Sequence, residues 1–162
     1  MGLRSRDADA DNRVRCVQEA STELKIKGLD HIVFIVDSLQ DAAATWKGTL
    51  GLTVGERLES IGLQGVLGLL PVGEPDAASG FIELAEPAGS EGPLAEMLAE
   101  RGEGMLSISI EVDDIDAAVA ELKSKGIEIA DVVQGPLPDS RVARLAPGAT
   151  HGVRLQLIER NS

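Results

Sequence analysis

"DHIVFIVDSLQDAAATWK" (residues 30–47) and "MLSISIEVDDIDAAVAEL" (residues 105–122) decide the fold. Aligned at Val36-Asp37 and Val112-Asp113, both run through an apolar strand, an acidic turn and a helix. In the first copy His31, Val33 and Ile35 alternate with Ile32, Phe34 and Val36, so both faces of the strand are largely apolar and both should be covered. Asp37 or Ser38 then caps a helix with the stripe Leu39, Ala42, Ala43, Trp46 and Leu50, and Gly51 ends it in a left-handed turn. In the second copy Asp113 or Asp114 caps a helix carrying Ile115, Ala118, Val119 and Leu122, stopped at Gly126. One position breaks the likeness: His31 of the first copy is matched by Ser107 of the second.

Each copy is followed by three short strand patterns, near residues 54–58, 65–70 and 80–85 in the first half and near 127–133, 142–145 and 153–158 in the second. Gly- and Pro-rich turns separate them. Between the halves, Pro93–Arg101 has a proline at its start, Leu94, Met97 and Leu98 in register and Gly102 after its end, which predicts a short helix. The reading is α+β: two tandem βαβββ modules, residues 28–86 and 105–160, joined by a helical connector, residues 87–104. A module that leaves one sheet face bare must pack against its neighbour. One domain is expected over residues 27–160, after a charged, flexible leader at residues 1–26.

The chain has 162 residues and 43% hydrophobic residues, enough for a substantial core, but only 2% aromatics, so that core must rest on aliphatic side chains. A formal net charge of −12 argues against a nucleic-acid or anionic-membrane surface. The single cysteine, Cys16, excludes an intramolecular disulfide and a multi-cysteine zinc site. No apolar run approaches the roughly 20 residues of a spanning helix, and no signal-peptide core is seen, so the expectation is a cytoplasmic protein.

The wording "LDHIVFIV", "TLGL", "LQGV", "LLPVGE", "IELAEP", "GPLAEMLAERGEGM", "IEVDDIDAAVAELKSKGI" and "GVRLQLIE", in that order over residues 28–159, resembles the vicinal-oxygen-chelate superfamily. That superfamily includes glyoxalase I, extradiol dioxygenases and bleomycin-binding proteins, and the wording is most similar to methylmalonyl-CoA epimerases. The resemblance implies a sheet curled into a cup with a divalent metal at its base, bound to vicinal oxygens of a small substrate. It implies ligand positions at His31, Glu83, Ser107 and Gln156, where family members usually carry His, Glu or Gln, His, and Glu. The internal repeat picks out the same places: His31 matches Ser107, and Glu83 in "FIELAE" matches Gln156 in "RLQLIE".

The expected site is therefore His31, Glu83 and Gln156 as catalytic and metal-holding groups, with Ser107, Ser109 and Arg154 toward the substrate. Its metal affinity should be reduced, because Ser107 and Gln156 are neutral. The alternative for His31 is a cup-lining histidine hydrogen-bonded to Glu83, Ser107 or Gln156. The resemblance also implies two carboxylate bases for epimerisation. One falls at Gly68 through "LQGV" and the other at Gln156, and neither residue takes a proton. The expected activity is epimerisation, isomerisation or lyase chemistry next to a carbonyl. The alternative is a metal-free small-ligand-binding protein, for which one Trp, two Phe and no Tyr offer little stacking surface.

Among the other charged residues, Arg154 is expected to face the cup, toward a substrate carboxylate or Glu83, or to lie at the rim. Arg141 and Arg144 are solvated charges or anion holders. His151 is a loop histidine or a rim acid/base, and Glu111 is structural. "GEG" at 102–104 lacks the Lys and length of a phosphate-binding loop. A homodimer is compatible with the sheet edges.

Overall fold

A computed structural model describes residues 24–73 and 80–161. Cys16 and most of the expected leader lie outside the described residues. The first module comprises β1 (Ile26–Ile35), α1 (Leu39–Leu50), β2 (Glu56–Ser60), β3 (Gly65–Pro71) and β4 (Phe81–Pro87). The connector holds α2 (Pro93–Arg101). The second module comprises β5 (Gly104–Val112), α3 (Ile115–Ser124), β6 (Val133–Gln134), β7 (Ser140–Arg144) and β8 (Leu155–Arg160).

The eight strands form one mixed sheet in the order β2-β3-β4-β1-β5-β8-β7-β6. Within each module the first strand runs parallel to the last, β1 to β4 and β5 to β8, and the two first strands meet antiparallel at the centre. The repeat is thus a physical symmetry, and it extends to the helix starts. Ser38 caps α1 and Asp114 caps α3, each accepting from a backbone N–H three residues on. A carboxylate from each module's last strand adds a second cap: Glu86 accepts from Leu39 N (2.8 Å) and Glu159 from Ile115 N (2.8 Å). Those caps pin each helix to the sheet it covers.

The two faces of β1 are both covered, as its double apolar pattern requires. Phe34 packs edge-on against Trp46 of α1, in a cluster with Leu39, Leu70 and Leu84. Val33 and Ile35 point the other way, into an inner cluster with Leu67, Leu94, Leu106 and Val142. Helix α3 covers the second half through Ile115, Ala118 and Val119. Each such aliphatic side chain, fully buried, contributes on the order of 2 kcal/mol.

The edge of the second module departs from the sequence reading. Instead of a strand over 127–133 there is an isolated bridge, Ile129 to Leu145, and then the two residues of β6. Gly135, Pro136 and Pro138 follow at once, and proline cannot extend a ladder. The last strand starts at Leu155, so Arg154 precedes it.

Candidate functional site

Three parallel or antiparallel registers bring the site residues together. His31 lies beside Phe81 on β4 and Ser109 on β5, and Ser109 lies beside Gln156 on β8. Val33, one step along the same face, lies between Glu83 and Ser107. Two rows of inward side chains therefore cross the centre of the sheet. A cavity of about 650 Å³ opens above them, lined in part by Glu83, Ser107 and Gln156, with α2 closing one side through Leu94 and Met97. His31 and Ser109, 1% and 0% exposed, sit one layer below the cavity lining.

A hydrogen-bonded chain runs through that layer. Asp30 Oδ2 lies 2.5 Å from His31 Nδ1, Ser109 Oγ lies 2.9 Å from His31 Nε2, and Gln156 Nε2 donates to Ser109 Oγ (2.6 Å). The carboxylate of Asp30 can only accept, so Nδ1 carries a proton. In the neutral ring Nε2 then accepts the Ser109 hydroxyl, and the hydroxyl oxygen is left to accept from Gln156. Behind Asp30, Arg160 makes two parallel bonds, Nε to Oδ1 and Nη2 to Oδ2, both 2.9 Å. The imidazole stacks on Phe81 at 4.7 Å between centroids, and the Arg160 guanidinium lies 5.4 Å from the other ring's centre.

Asp30 reaches this place because of a β-bulge. Leu29 pairs with Ile110 and His31 with Ser109, so Asp30 is the extra residue in β1. Simple alternation puts Asp30 and His31 on opposite faces; the bulge turns the carboxylate back to the ring. The neighbouring strand must come close here, and a Cβ on Gly80 would stand 2.8 Å from Asp30 O. Burial works to raise the Asp30 carboxyl, but the bonds from His31 and Arg160 outweigh it and hold the group below the ordinary carboxylate range.

Glu83 is the opposite case. It is 1% exposed, and its Oε2 has no hydrogen-bond partner among the described residues, lying 3.8 Å from His31 Nε2. Burial pushes its carboxyl above the ordinary range, against the opposing pull of His31 and Arg160. It is the one carboxyl group among the residues that line the cavity.

The other expectations divide. Ser107 lines the cavity, half-buried, but His31 bonds to Ser109 instead. Arg154 and Arg144 line the cavity near its mouth; Arg154 Nη1 lies 3.2 Å from Met97 Sδ and is not paired with Glu83. Arg141 is elsewhere, bonded to Asp116 and Glu159. Glu111 pairs with Lys27 (2.6 Å), and His151 ends a 3₁₀ turn with φ 52° in an exposed loop. Gly68 faces away from the cavity: a Cβ there would stand 2.7 Å from Leu39 Cδ1, on the helix side of β3. Sequence reasoning missed Asp30, Arg160 and Phe81. The one signal was the Asp-His pair itself, and strand periodicity points its two members apart.

His31 and Glu83 supply half of a metal site. Among the described residues no group of three His, Cys, Asp or Glu could hold a metal ion, and Asp30 is bound to the far nitrogen of the imidazole and to Arg160. The imidazole lone pair takes the Ser109 hydroxyl, and Gln156, with its NH₂ on Ser109, has at most a neutral amide oxygen to offer a cation. This donor set does not fit a tightly held divalent cation, which wants three or four strong ligands.

Comparison with known proteins places the fold. The family model described as the glyoxalase/bleomycin resistance protein/dioxygenase superfamily matches residues 30–143. The chain belongs to this superfamily. Within it, mouse (Mus musculus) mitochondrial methylmalonyl-CoA epimerase is 30% identical, over 86% of this chain and 77% of the relative. The crystal structure of methylmalonyl-CoA epimerase from Mycobacterium tuberculosis superimposes with TM-score 0.76 at 26% identity, covering 90% of this chain and 95% of the other. The Streptomyces coelicolor epimerase, in complex with 2-nitronate-propionyl-CoA, gives TM-score 0.75 at 25% identity, covering 86% and 96%. The curled eight-stranded sheet is thus the superfamily's fold, and the chain resembles its epimerases. No helix among the described residues is long and apolar enough to cross a membrane.

Proposed function

We propose that this protein moves a proton at the carbon next to the carbonyl of an acyl thioester, as an isomerase-type member of its superfamily. One observation carries the reading: Glu83 is buried, has an unpartnered carboxyl oxygen and opens onto the cavity. A carboxyl group raised by burial is a better base near neutral pH than an ordinary one. Glu83 removes the proton and, once the planar enolate has turned over in the cavity, returns it to the opposite face. The negative charge that develops on the thioester oxygen meets the Ser107 hydroxyl at the cavity wall. Arg144 and Arg154 at the mouth suit the anionic groups of such a ligand. The relatives named for methylmalonyl-CoA, and the solved complex with a nitronate thioester, support this substrate class.

A single carboxylate in the cavity fits removal and return through one group. With Gly68 turned toward α1 and Gln156 unable to carry a proton, the two-carboxylate scheme has no place here. The test is proton exchange: methylmalonyl-CoA and propionyl-CoA incubated with the protein in D₂O, followed by mass spectrometry. Deuterium should enter the α-carbon with wild-type protein and not with Glu83→Gln. Exchange that survives Glu83→Gln, or thioester binding with no exchange at all, overturns this reading; the latter outcome leaves a small-ligand-binding protein.

A further inference from the structure

The chain from Asp30 to Gln156 has a direction, and that direction decides what the cavity offers a ligand. Each link has one donor and one acceptor. Asp30 accepts, so His31 Nδ1 donates; His31 Nε2 accepts, so Ser109 donates; Ser109 Oγ then accepts, so Gln156 presents its NH₂ to it. That commits the amide nitrogen to the buried layer and directs the other end of the amide, its carbonyl oxygen, away from it, and Gln156 lies in the cavity wall. The same residue reversed would accept from Ser109 through its oxygen and turn its NH₂ to the other side.

We propose that Asp30, held by Arg160, is a positioning residue that fixes the His31 tautomer and, through Ser109, sets the Gln156 amide with its NH₂ on Ser109 and its carbonyl oxygen turned to the cavity as a hydrogen-bond acceptor for a ligand N–H or O–H. Three features of the structure single it out. The bulge at Asp30 spends a residue of the central strand pair to aim this carboxylate at the ring. Arg160 occupies both carboxylate oxygens, so Asp30 cannot rotate away from Nδ1 without breaking two bonds. Phe81 stacks on the imidazole and restrains the ring from turning about its own axis. His31 is thus a relay of orientation, and its lone pair is committed to Ser109. The tautomer claim does not depend on the reaction proposed above, because its readout is the imidazole itself.

The chain has two histidines, so the experiment is compact. Protein labelled with ¹⁵N at histidine is read by NMR, with the His151 signals identified from His151→Gln. In the wild type, His31 should show a protonated Nδ1 and an unprotonated Nε2; the reverse pattern overturns the proposal whether or not any variant folds. In Asp30→Asn, Arg160 holds the side-chain oxygen and the amide N–H faces the ring, so Nδ1 becomes the acceptor and His31 should switch to the Nε2–H form. In Ser109→Ala the Nδ1–H form should persist, since Asp30 sets it. A switch in Ser109→Ala, or none in a folded Asp30→Asn, assigns the control to another group and overturns the proposal.

Discussion

His31 Nε2 and Glu83 Oε2 face each other across 3.8 Å in the buried floor of the cup, and neither bonds to the other. The imidazole is satisfied on both nitrogens by Asp30 and Ser109, while the carboxyl oxygen is satisfied by nothing among the described residues. The asymmetry makes His31 a structural relay and leaves Glu83 available to a ligand.

Glu83 should make the protein less stable as pH rises. Burial raises its carboxyl in the folded state, so the native protein binds a proton more readily than the unfolded chain. Stability is then lost as pH climbs from the ordinary carboxyl range through the raised native value. Glu83→Gln removes the charge and should be more stable than wild type at pH 8 by about 1–3 kcal/mol, with the gap closing toward pH 4. Urea titrations across that range check it, and a variant less stable than wild type at pH 8 contradicts it.

Arg160 should act with the opposite sign. Asp30 lies below the ordinary range in the fold, so its contribution is present above the unfolded value and lost as pH falls through the native one. Arg160→Gln should destabilise at pH 7 by about 1–3 kcal/mol, since Asp30 is left buried while Arg160 itself is partly solvated. The loss should shrink in acid. A destabilisation that is the same at pH 7 and pH 3 points to packing against Phe81 instead.

Metal affinity should be recoverable in the second module. Ser107 lies across Val33 from Glu83, and Gln156 lies at the same cavity wall. Ser107→His with Gln156→Glu adds an imidazole and a carboxylate to the pair already there. The double variant should bind Co²⁺ or Zn²⁺ at least about 100-fold more tightly than wild type, given the usual gain from completing a ligand set. Calorimetric titration and elemental analysis decide it; equal affinity in the two proteins rules it out.

Gly68→Glu should not supply a second base. The new side chain would meet Leu39 on the helix side of β3, so the carboxylate is buried without a partner. The expected result is a loss of stability of about 3 kcal/mol or more and no gain in proton exchange. Thermal denaturation with the D₂O exchange assay reads both.

Much of the fold is legible in residues 30–47 and 105–122, because helix caps and hydrophobic period are local properties. Ser38, Gly51 and Asp114 each act at the helix boundaries expected of them. Weaker stretches fail where pairing depends on a distant strand: nothing local says that residues 127–132 make one bridge and no ladder.

The site shows the same division. The sequence by itself determined that His31, Glu83 and Gln156 occupy corresponding places in two repeats, since strand period and repeat offset are properties of the chain. Which serine meets the imidazole, which way the Gln156 amide turns and whether Gly68 faces the cavity were decided only in the tertiary structure. The physical reason is the register of β1 on β5. Antiparallel pairing sets Val33, not His31, opposite the repeat's match Ser107, and the single extra residue at Asp30 brings His31 opposite Ser109 and returns a carboxylate to a face that alternation denies it.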